Sequence, residues 1–155
     1  MIAAPLLIAS FNDRLGLPKF LFSASKTIGQ FLVLAGIIVL ADCFRVIKKF
    51  GEGTPVPVEP PKRLVTEGLF QFTRNPMYLA LFAIILGEAF FLGHLLLFIY
   101  FLLLAFLFNL YVVKIEEPEL RKRFGKEYEK YCQKVPRWLL KKSIPEIVRG
   151  IYPQK

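Results

Sequence analysis

The sequence contains only two cysteines, Cys43 and Cys132, and a single histidine, His94. Cys43 lies in an apolar run and Cys132 in a charged segment, and no Cys-x-x-Cys pair or Cys/His cluster occurs. We therefore expect neither a disulfide framework nor a metal site. His94 follows Gly93 at a break between two apolar runs, and we interpret it as a polar turn residue.

Targeting signals are also missing from the sequence. The N-terminus has no basic segment ahead of its apolar run, and no small-residue cleavage signal follows. We therefore do not expect a cleaved signal peptide. The C-terminal residues 151–155 carry no lipidation motif.

Acidic residues are few: 12 Asp and Glu stand against 21 Lys and Arg, which gives a formal net charge of +9. Hydrophobic residues make up 55% of the chain, and the mean hydropathy is +0.48. A soluble domain of 155 residues has too little interior for so many apolar side chains, so we expect lipid to solvate much of the surface. In a membrane protein, a basic excess indicates cytoplasmic loops and membrane lipids as partners rather than nucleic acid.

Three apolar stretches approach the roughly 20 residues that cross a bilayer; they are 27–46, 77–92 and 94–113. The Gly93-His94 break predicts a helical hairpin between the second and third spans. The opening run, 1–22, is an interfacial helix, a re-entrant piece or a partial extra span, and the residues leave this open. We predict an all-α, multi-pass transmembrane helical bundle that forms a single membrane domain over 1–155.

Loop charge predicts the orientation of these spans. The turn at 93–94 has no Lys or Arg, whereas the loop before the second span is basic, with Lys48, Lys49, Lys62, Arg63 and Arg74. The segment after the third span carries ten further Lys and Arg residues between positions 114 and 142. Both basic segments should therefore be cytoplasmic, which places loop and tail on one membrane face.

Two further segments should lie on that face. The loop 51–61 is rich in Pro and Gly, so we expect it to be stiff and extended rather than helical. Residues 116–133 predict an amphipathic helix over a cytosolic-face cofactor pocket, with its apolar stripe at Leu120, Phe124, Tyr128 and Tyr131. Pro118 suits the first position of that helix. The helix dipole would stabilise the negative charge of Glu116 or Glu117 at the same end.

Polar groups at the edge of hydrocarbon are costly unless they are paired or used. Arg74 lies at the mouth of the second span, and Glu116 and Glu117 lie at the exit of the third. Beside the Pro/Gly loop and the amphipathic helix, they could form a pocket with one positive and one negative wall. A zwitterionic ligand would suit such a pocket.

An ordered set of motifs runs through this part of the chain: Gly51, Gly53, Thr54 and Pro55; Pro60, Pro61, Leu64, Val65, Gly68 and Phe70; Arg74, Asn75, Pro76, Met77 and Tyr78; Gly87; Glu116, Glu117, Leu120, Phe124, Gly125, Tyr128 and Tyr131; Val135, Pro136 and Arg137. This set resembles the isoprenylcysteine carboxyl methyltransferase family and, more loosely, the phospholipid N-methyltransferases. One departure is Asn75, where the prenylcysteine enzymes carry His; Asn can hydrogen-bond a carboxylate but cannot be a cation.

The resemblance implies a membrane methyltransferase that uses S-adenosylmethionine, which would enter from the cytosol. The acceptor would be a lipid-like or small hydrophobic molecule, such as a prenylcysteine-type carboxylate, and would enter from the bilayer. Glu117 would be a catalytic candidate, and Arg123 would hold a substrate carboxylate. By the same likeness the cofactor pocket would be lined by Arg74, Asn75, Pro76, Tyr78, Glu116 and Glu117.

Two other classes of function stay open. One is an NADPH-dependent membrane reductase, because sterol reductases share a distantly similar C-terminal half. The other is a non-catalytic membrane interaction module whose basic tail binds anionic lipid or a partner protein. The sequence leaves the methyl acceptor and the oligomeric state undetermined.

Overall fold

The computed structural model describes residues 3–20, 22–53 and 61–138. Within these residues the fold is helical, with a 3₁₀ turn at Gly68–Gln71 and a π-helical turn at Val112–Glu116. The five α-helices are α1 Ala3–Arg14, α2 Ser25–Phe50, α3 Pro76–Leu92, α4 Leu95–Tyr111 and α5 Glu117–Lys134. This described part contains no β-strand, only an isolated bridge between Lys19 and His94. The all-α prediction is confirmed.

Two helical runs are long and apolar enough to cross a membrane, namely Ser25–Phe50 and Leu95–Lys134, and α3 is a shorter apolar helix. Together, these helices contain most of the residues that the sequence predicts to span the membrane. Helix α1 has 12 residues, so it is about 18 Å long against a hydrocarbon thickness of about 30 Å. It ends at Arg14, and Gly16 follows with a φ of 63°. The opening run therefore does not continue as one helix to residue 22. Of the predicted Pro/Gly loop, residues 54–60 lie outside the described part.

The chain divides into two compact units, and the first comprises Met1–Ile38 and Tyr78–Tyr111. In it, α2 and α3 approach backbone to backbone at Gly29 and Gly87. A Cβ atom on Gly29 would lie 2.6 Å from the Gly87 carbonyl oxygen, and one on Gly87 would lie 2.7 Å from the Gly29 carbonyl oxygen. Only glycine permits this approach, which is how small residues hold helices together where no hydrophobic force acts between them.

The α3–α4 turn of the first unit is tied to α1 by polar side chains. His94 is buried, and its Nε2 lies 3.1 Å from Asp13 Oδ1. Asn12 is also buried; its amide donates to the Leu17 carbonyl, and its oxygen accepts a hydrogen bond from the Leu96 N–H. His94 thus lies at the turn, as expected, but it also fixes α1 to that turn.

The second unit comprises Val39–Met77 and Val112–Lys155. It has two small apolar clusters, and the first is formed by Val46, Ile47 and Val65 with Phe70 and Met77 packed against them. The second cluster holds the predicted apolar stripe of α5: Tyr128, Tyr131 and Val135 are buried, with Leu64, Leu120, Phe124 and Cys132 packed against them. The stripe therefore contacts protein in this unit, and the charged side chains of α5 are exposed, with the exception of Glu117.

Candidate functional site

A π-helical turn, Val112–Glu116, leads directly into Glu117. Glu116 keeps helical dihedral angles (φ −69°, ψ −49°), so the expected helix start beside Pro118 is not a free helix end. The physical reason is that a proline lacks an N–H group and its ring clashes with the carbonyl one turn back. A π-helical turn widens the helix and accommodates that clash. The dipole argument for the two glutamates therefore does not hold, and Glu117 needs another source of stabilisation.

Two arginines supply that stabilisation. Glu117 is only 5% exposed. Its Oε1 accepts from Arg137 Nε at 2.6 Å and lies 3.1 Å from Arg74 Nη1, and its Oε2 accepts from Arg137 Nη2 at 2.9 Å. Arg137 therefore grips the carboxylate in the two-pronged arrangement that guanidinium favours. We call these three residues the Arg–Glu–Arg cluster.

The charges in this cluster set the ionisation of Glu117. Burial alone would favour the neutral acid, but the Arg137 hydrogen bonds and the positive charges of Arg74 and Arg137 outweigh it. Together they hold the pKa of Glu117 below its ordinary value. The same hydrogen bonds raise the pKa of Arg137. Two cations thus share one anion, and the cluster carries one net positive charge.

The backbone around the cluster is fixed by a clasp between two segments, 73–75 and 136–137. The Arg74 N–H donates to the Pro136 carbonyl at 3.0 Å. The Arg137 carbonyl accepts from Thr73 Oγ1 at 2.9 Å and from Asn75 Nδ2 at 3.1 Å. The buried Asn75 side chain therefore binds the chain that carries Arg137, and its position beside the cluster follows from this contact.

Cysteine and tyrosine side chains border Arg74. Arg74 Nη1 lies 2.6 Å from Cys132 Sγ. Tyr131 donates its hydroxyl to the Phe70 carbonyl at 2.6 Å, and Tyr128 is buried. Burial is the main reason that the pKa values of Tyr128 and Tyr131 are raised, so both phenols keep their protons at neutral pH.

The structure brings Arg74, Asn75 and Glu117 together, as the motifs suggested. Pro76 follows them as the first residue of α3, and Glu116 is the half-buried last residue of the π-helical turn. The motif set contains Arg137 but predicts no role for it, although Arg137 makes the shortest contact to Glu117, at 2.6 Å, within the described part of the chain.

Two further predicted site residues, Tyr78 and Arg123, make contacts of their own. Tyr78 belongs to the first unit, where its ring packs against Phe108 with centroids 5.2 Å apart. Arg123 is exposed, and its Nη2 donates to the Pro61 carbonyl at 2.7 Å; its role in holding a substrate carboxylate stays a prediction. Its guanidinium also lies over the Phe124 ring.

The cluster can hold opposite charges side by side. Glu117 offers a carboxylate to a cation, and each arginine offers a planar set of N–H donors to an anion. Arg74 Nε is buried without a hydrogen-bond partner in the part of the chain that the structure describes. Since a buried N–H group without a partner is unfavourable, the cluster is short of one acceptor. These properties suit a zwitterion.

Comparisons with known proteins agree with the motifs. Residues 24–127 match the phospholipid methyltransferase family, which is related to the isoprenylcysteine carboxyl methyltransferases. An uncharacterized protein of Haemophilus influenzae is 38% identical over 63 residues, which are 41% of this chain and all of that protein. No solved structure matches. With two helices long and apolar enough to span, these findings indicate a membrane protein. The chain belongs to the phospholipid methyltransferase family.

Proposed function

We propose that this protein is a multi-pass membrane methyltransferase that moves a methyl group from S-adenosylmethionine to a lipid-like or small hydrophobic acceptor. The family supports methyl transfer. The single observation that carries the rest is the buried Glu117 carboxylate held between two guanidinium groups. We place this site on the cytoplasmic face, because the segments that carry it are the basic ones.

The residues of the cluster fit the amino-acid end of this cofactor. Glu117 would accept hydrogen bonds from its ammonium group, and an arginine would bind its carboxylate. The buried Arg74 Nε, which lacks a hydrogen-bond partner among the described residues, supports an acceptor-rich ligand at this position. When bound, the cofactor supplies an electrophilic methyl group on a positively charged sulfur.

The residues of this chain then have a positioning task. Methyl transfer from a sulfonium is an in-line displacement that needs little acid–base chemistry, so alignment and exclusion of water provide most of the acceleration. The clasp fixes Arg74 and Arg137, and Glu117 is almost fully shielded from solvent. Such a rigid, shielded cluster is suited to holding one end of a substrate while the other end reacts.

The state of Glu117 also bears on the acceptor. An amine or thiol must lose a proton, and Glu117 is a weak base because its pKa is lowered and both its oxygens accept hydrogen bonds. Tyr128 and Tyr131 hold their protons tightly. A carboxylate acceptor is already ionised at neutral pH, so this site favours an acceptor of the prenylcysteine-carboxylate type.

A membrane setting for the acceptor is supported by the surface of α4. Its large apolar side chains at Ile99, Leu102 and Phe106 are at least half exposed. Such a continuous exposed apolar surface is typical of a helix that faces lipid. A lipid-like acceptor would reach the enzyme from the same phase.

Equilibrium binding of S-adenosylmethionine to the detergent-purified protein tests this proposal. We expect saturable binding that NADPH does not displace and that Glu117→Gln abolishes. Glu119→Gln is the matched control, because Glu119 is an exposed glutamate on the same helix. Displacement by NADPH would favour a reductase. Absence of any binding to protein with an intact unfolding transition would favour the interaction module.

A further inference from the structure

Arg74 and Arg137 both bind the Glu117 carboxylate, but they are not equivalent. The Arg74 side chain is 11% exposed, whereas that of Arg137 is 32% exposed. Arg137 makes the shorter contacts, at 2.6 and 2.9 Å, and covers both carboxylate oxygens. The arginine that blocks Glu117 most completely is therefore also the one with the easier route to solvent.

The clasp fixes the backbone of Arg137 independently of its side chain. Thr73 and Asn75 hold the Arg137 carbonyl. Because both contacts are made to the main-chain carbonyl of Arg137, the Arg137 side chain can leave Glu117 without disturbing them. The Arg137 guanidinium can therefore move while the backbone that carries it stays in place.

A cationic ligand group that approaches Glu117 meets a carboxylate whose two oxygens are already occupied. Adding a third cation to one carboxylate is unfavourable unless one of the two arginines finds another anion. Arg137 is suited to move, since it is the more exposed of the two. A ligand that carries its own carboxylate next to its ammonium provides that anion.

We propose that Arg137 is a cofactor-binding and specificity-determining residue that exchanges the Glu117 carboxylate for the carboxylate of the bound ligand. The proposal rests on the proposed function and adds to it a selectivity for zwitterions. Glu117 accepts hydrogen bonds from the ammonium group, Arg137 donates hydrogen bonds to the carboxylate, and Arg74 remains on Glu117. Without a ligand, the Arg137–Glu117 pair keeps both charges satisfied.

If this exchange occurs, the affinity of the protein for the ligand depends on the ligand's carboxylate, and Arg137 is the residue responsible. The test compares S-adenosylmethionine with its decarboxylated form, which retains the amine and the sulfonium. Both are titrated into the full-length protein in detergent, as wild type, Arg137→Gln, Arg137→Lys and Arg63→Gln. Arg63 is the control, because it is an arginine of the same unit that makes an exposed ion pair with Glu52.

We expect the wild type and Arg63→Gln to bind the carboxylate-bearing ligand about tenfold to a hundredfold more tightly, as for a charge-assisted hydrogen bond. Arg137→Gln should reduce that preference to about twofold or less, and Arg137→Lys should retain part of it. A purely structural role for Arg137 would lower the affinity for both ligands equally and leave the preference unchanged.

Three outcomes would overturn the inference. A wild type that binds both ligands equally would show that the carboxylate is not recognised. A preference that survives Arg137→Gln would assign the recognition to another group. In both cases the proposed function stands, because the cofactor still binds. Failure of folded wild type to bind either ligand would instead overturn the proposed function together with this inference.

Discussion

Each of the two units contains an acid held by two basic side chains, but the two clusters differ in burial. In the first unit, Asp13 lies 2.8 Å from Lys19 Nζ and 3.1 Å from His94 Nε2, and the Asp13 side chain is 50% exposed. In the second unit, the Glu117 side chain is 6% exposed. Water can replace the partners of Asp13, whereas Glu117 depends on its arginines.

On this difference we base the proposal that the Arg–Glu–Arg cluster is a ligand site, whereas the contacts of Asp13 stabilise the fold. An exposed ion pair gains little free energy, because water and salt screen it. In a buried ion pair, each charge depends on the other for its stabilisation. Any charge that is not cancelled there produces a strong electric field. The Arg–Glu–Arg cluster has such an excess charge, and this is why we assign the function to the second unit.

The largest expected effect is the loss of the buried carboxylate. Glu117→Ala leaves two guanidinium groups without their anion, so we expect a loss of roughly 3–5 kcal/mol in the free energy of unfolding. Asp13→Ala, in the exposed cluster, should change it far less, because water screens and can replace the partners of Asp13. SDS-induced unfolding in mixed micelles measures both. Equal effects of the two substitutions would contradict the distinction between the clusters.

The second-largest expected effect tests whether the close packing of α2 against α3, rather than the charged cluster at Asp13, stabilises the first unit. Gly87→Ala places a methyl group 2.7 Å from the Gly29 carbonyl oxygen, so α2 and α3 must separate, at a cost of about 1–3 kcal/mol.

Gly16→Ala is the control for this substitution. A Cβ atom on Gly16 would meet no described atom within 4 Å, so only its φ of 63° is unfavourable for alanine. The unfolding midpoints of the two variants give the comparison. A smaller loss for Gly87→Ala than for Gly16→Ala would show that the close helix approach contributes little.

A smaller effect is expected from pH. The pKa of Glu117 is lowered below its ordinary value of 4.5. A carboxyl group of this kind stabilises the fold fully above its unfolded pKa and loses that contribution as pH falls through its folded pKa. The stability difference between wild type and Glu117→Gln should therefore be constant above about pH 5 and shrink in more acid solution. A difference that grew in acid would mean that the pKa of Glu117 is raised.

The sequence indicated part of the candidate site and missed the rest for identifiable reasons. Arg74 and Glu117 stood out because ionisable residues beside apolar spans are unusual. The role of Arg137 depends on a side-chain contact 20 residues away and on the clasp that positions it, and neither has a periodic signal.

Two features of the fold were also beyond the sequence. Pro118 lies in the first turn of α5, as the preference of proline predicts, but the π-helical turn that keeps the chain helical before it has no local sequence signal. The Gly93-His94 break predicts that His94 is a turn residue, but its contact with Asp13, 81 positions away, has no local sequence signal. The apolar helices, by contrast, followed directly from composition and length, which local sequence contains in full.

Transfer of a labelled methyl group is the most direct test of the central claim. Membranes that contain the wild type, Glu117→Gln or Asp13→Asn are supplied with methyl-tritiated S-adenosylmethionine, and radioactivity is counted in the lipid extract before and after mild base. We expect incorporation with the wild type and Asp13→Asn, its loss with Glu117→Gln, and release by base as from a methyl ester. Equal incorporation with wild type and Glu117→Gln would contradict the assignment of the Arg–Glu–Arg cluster as the site.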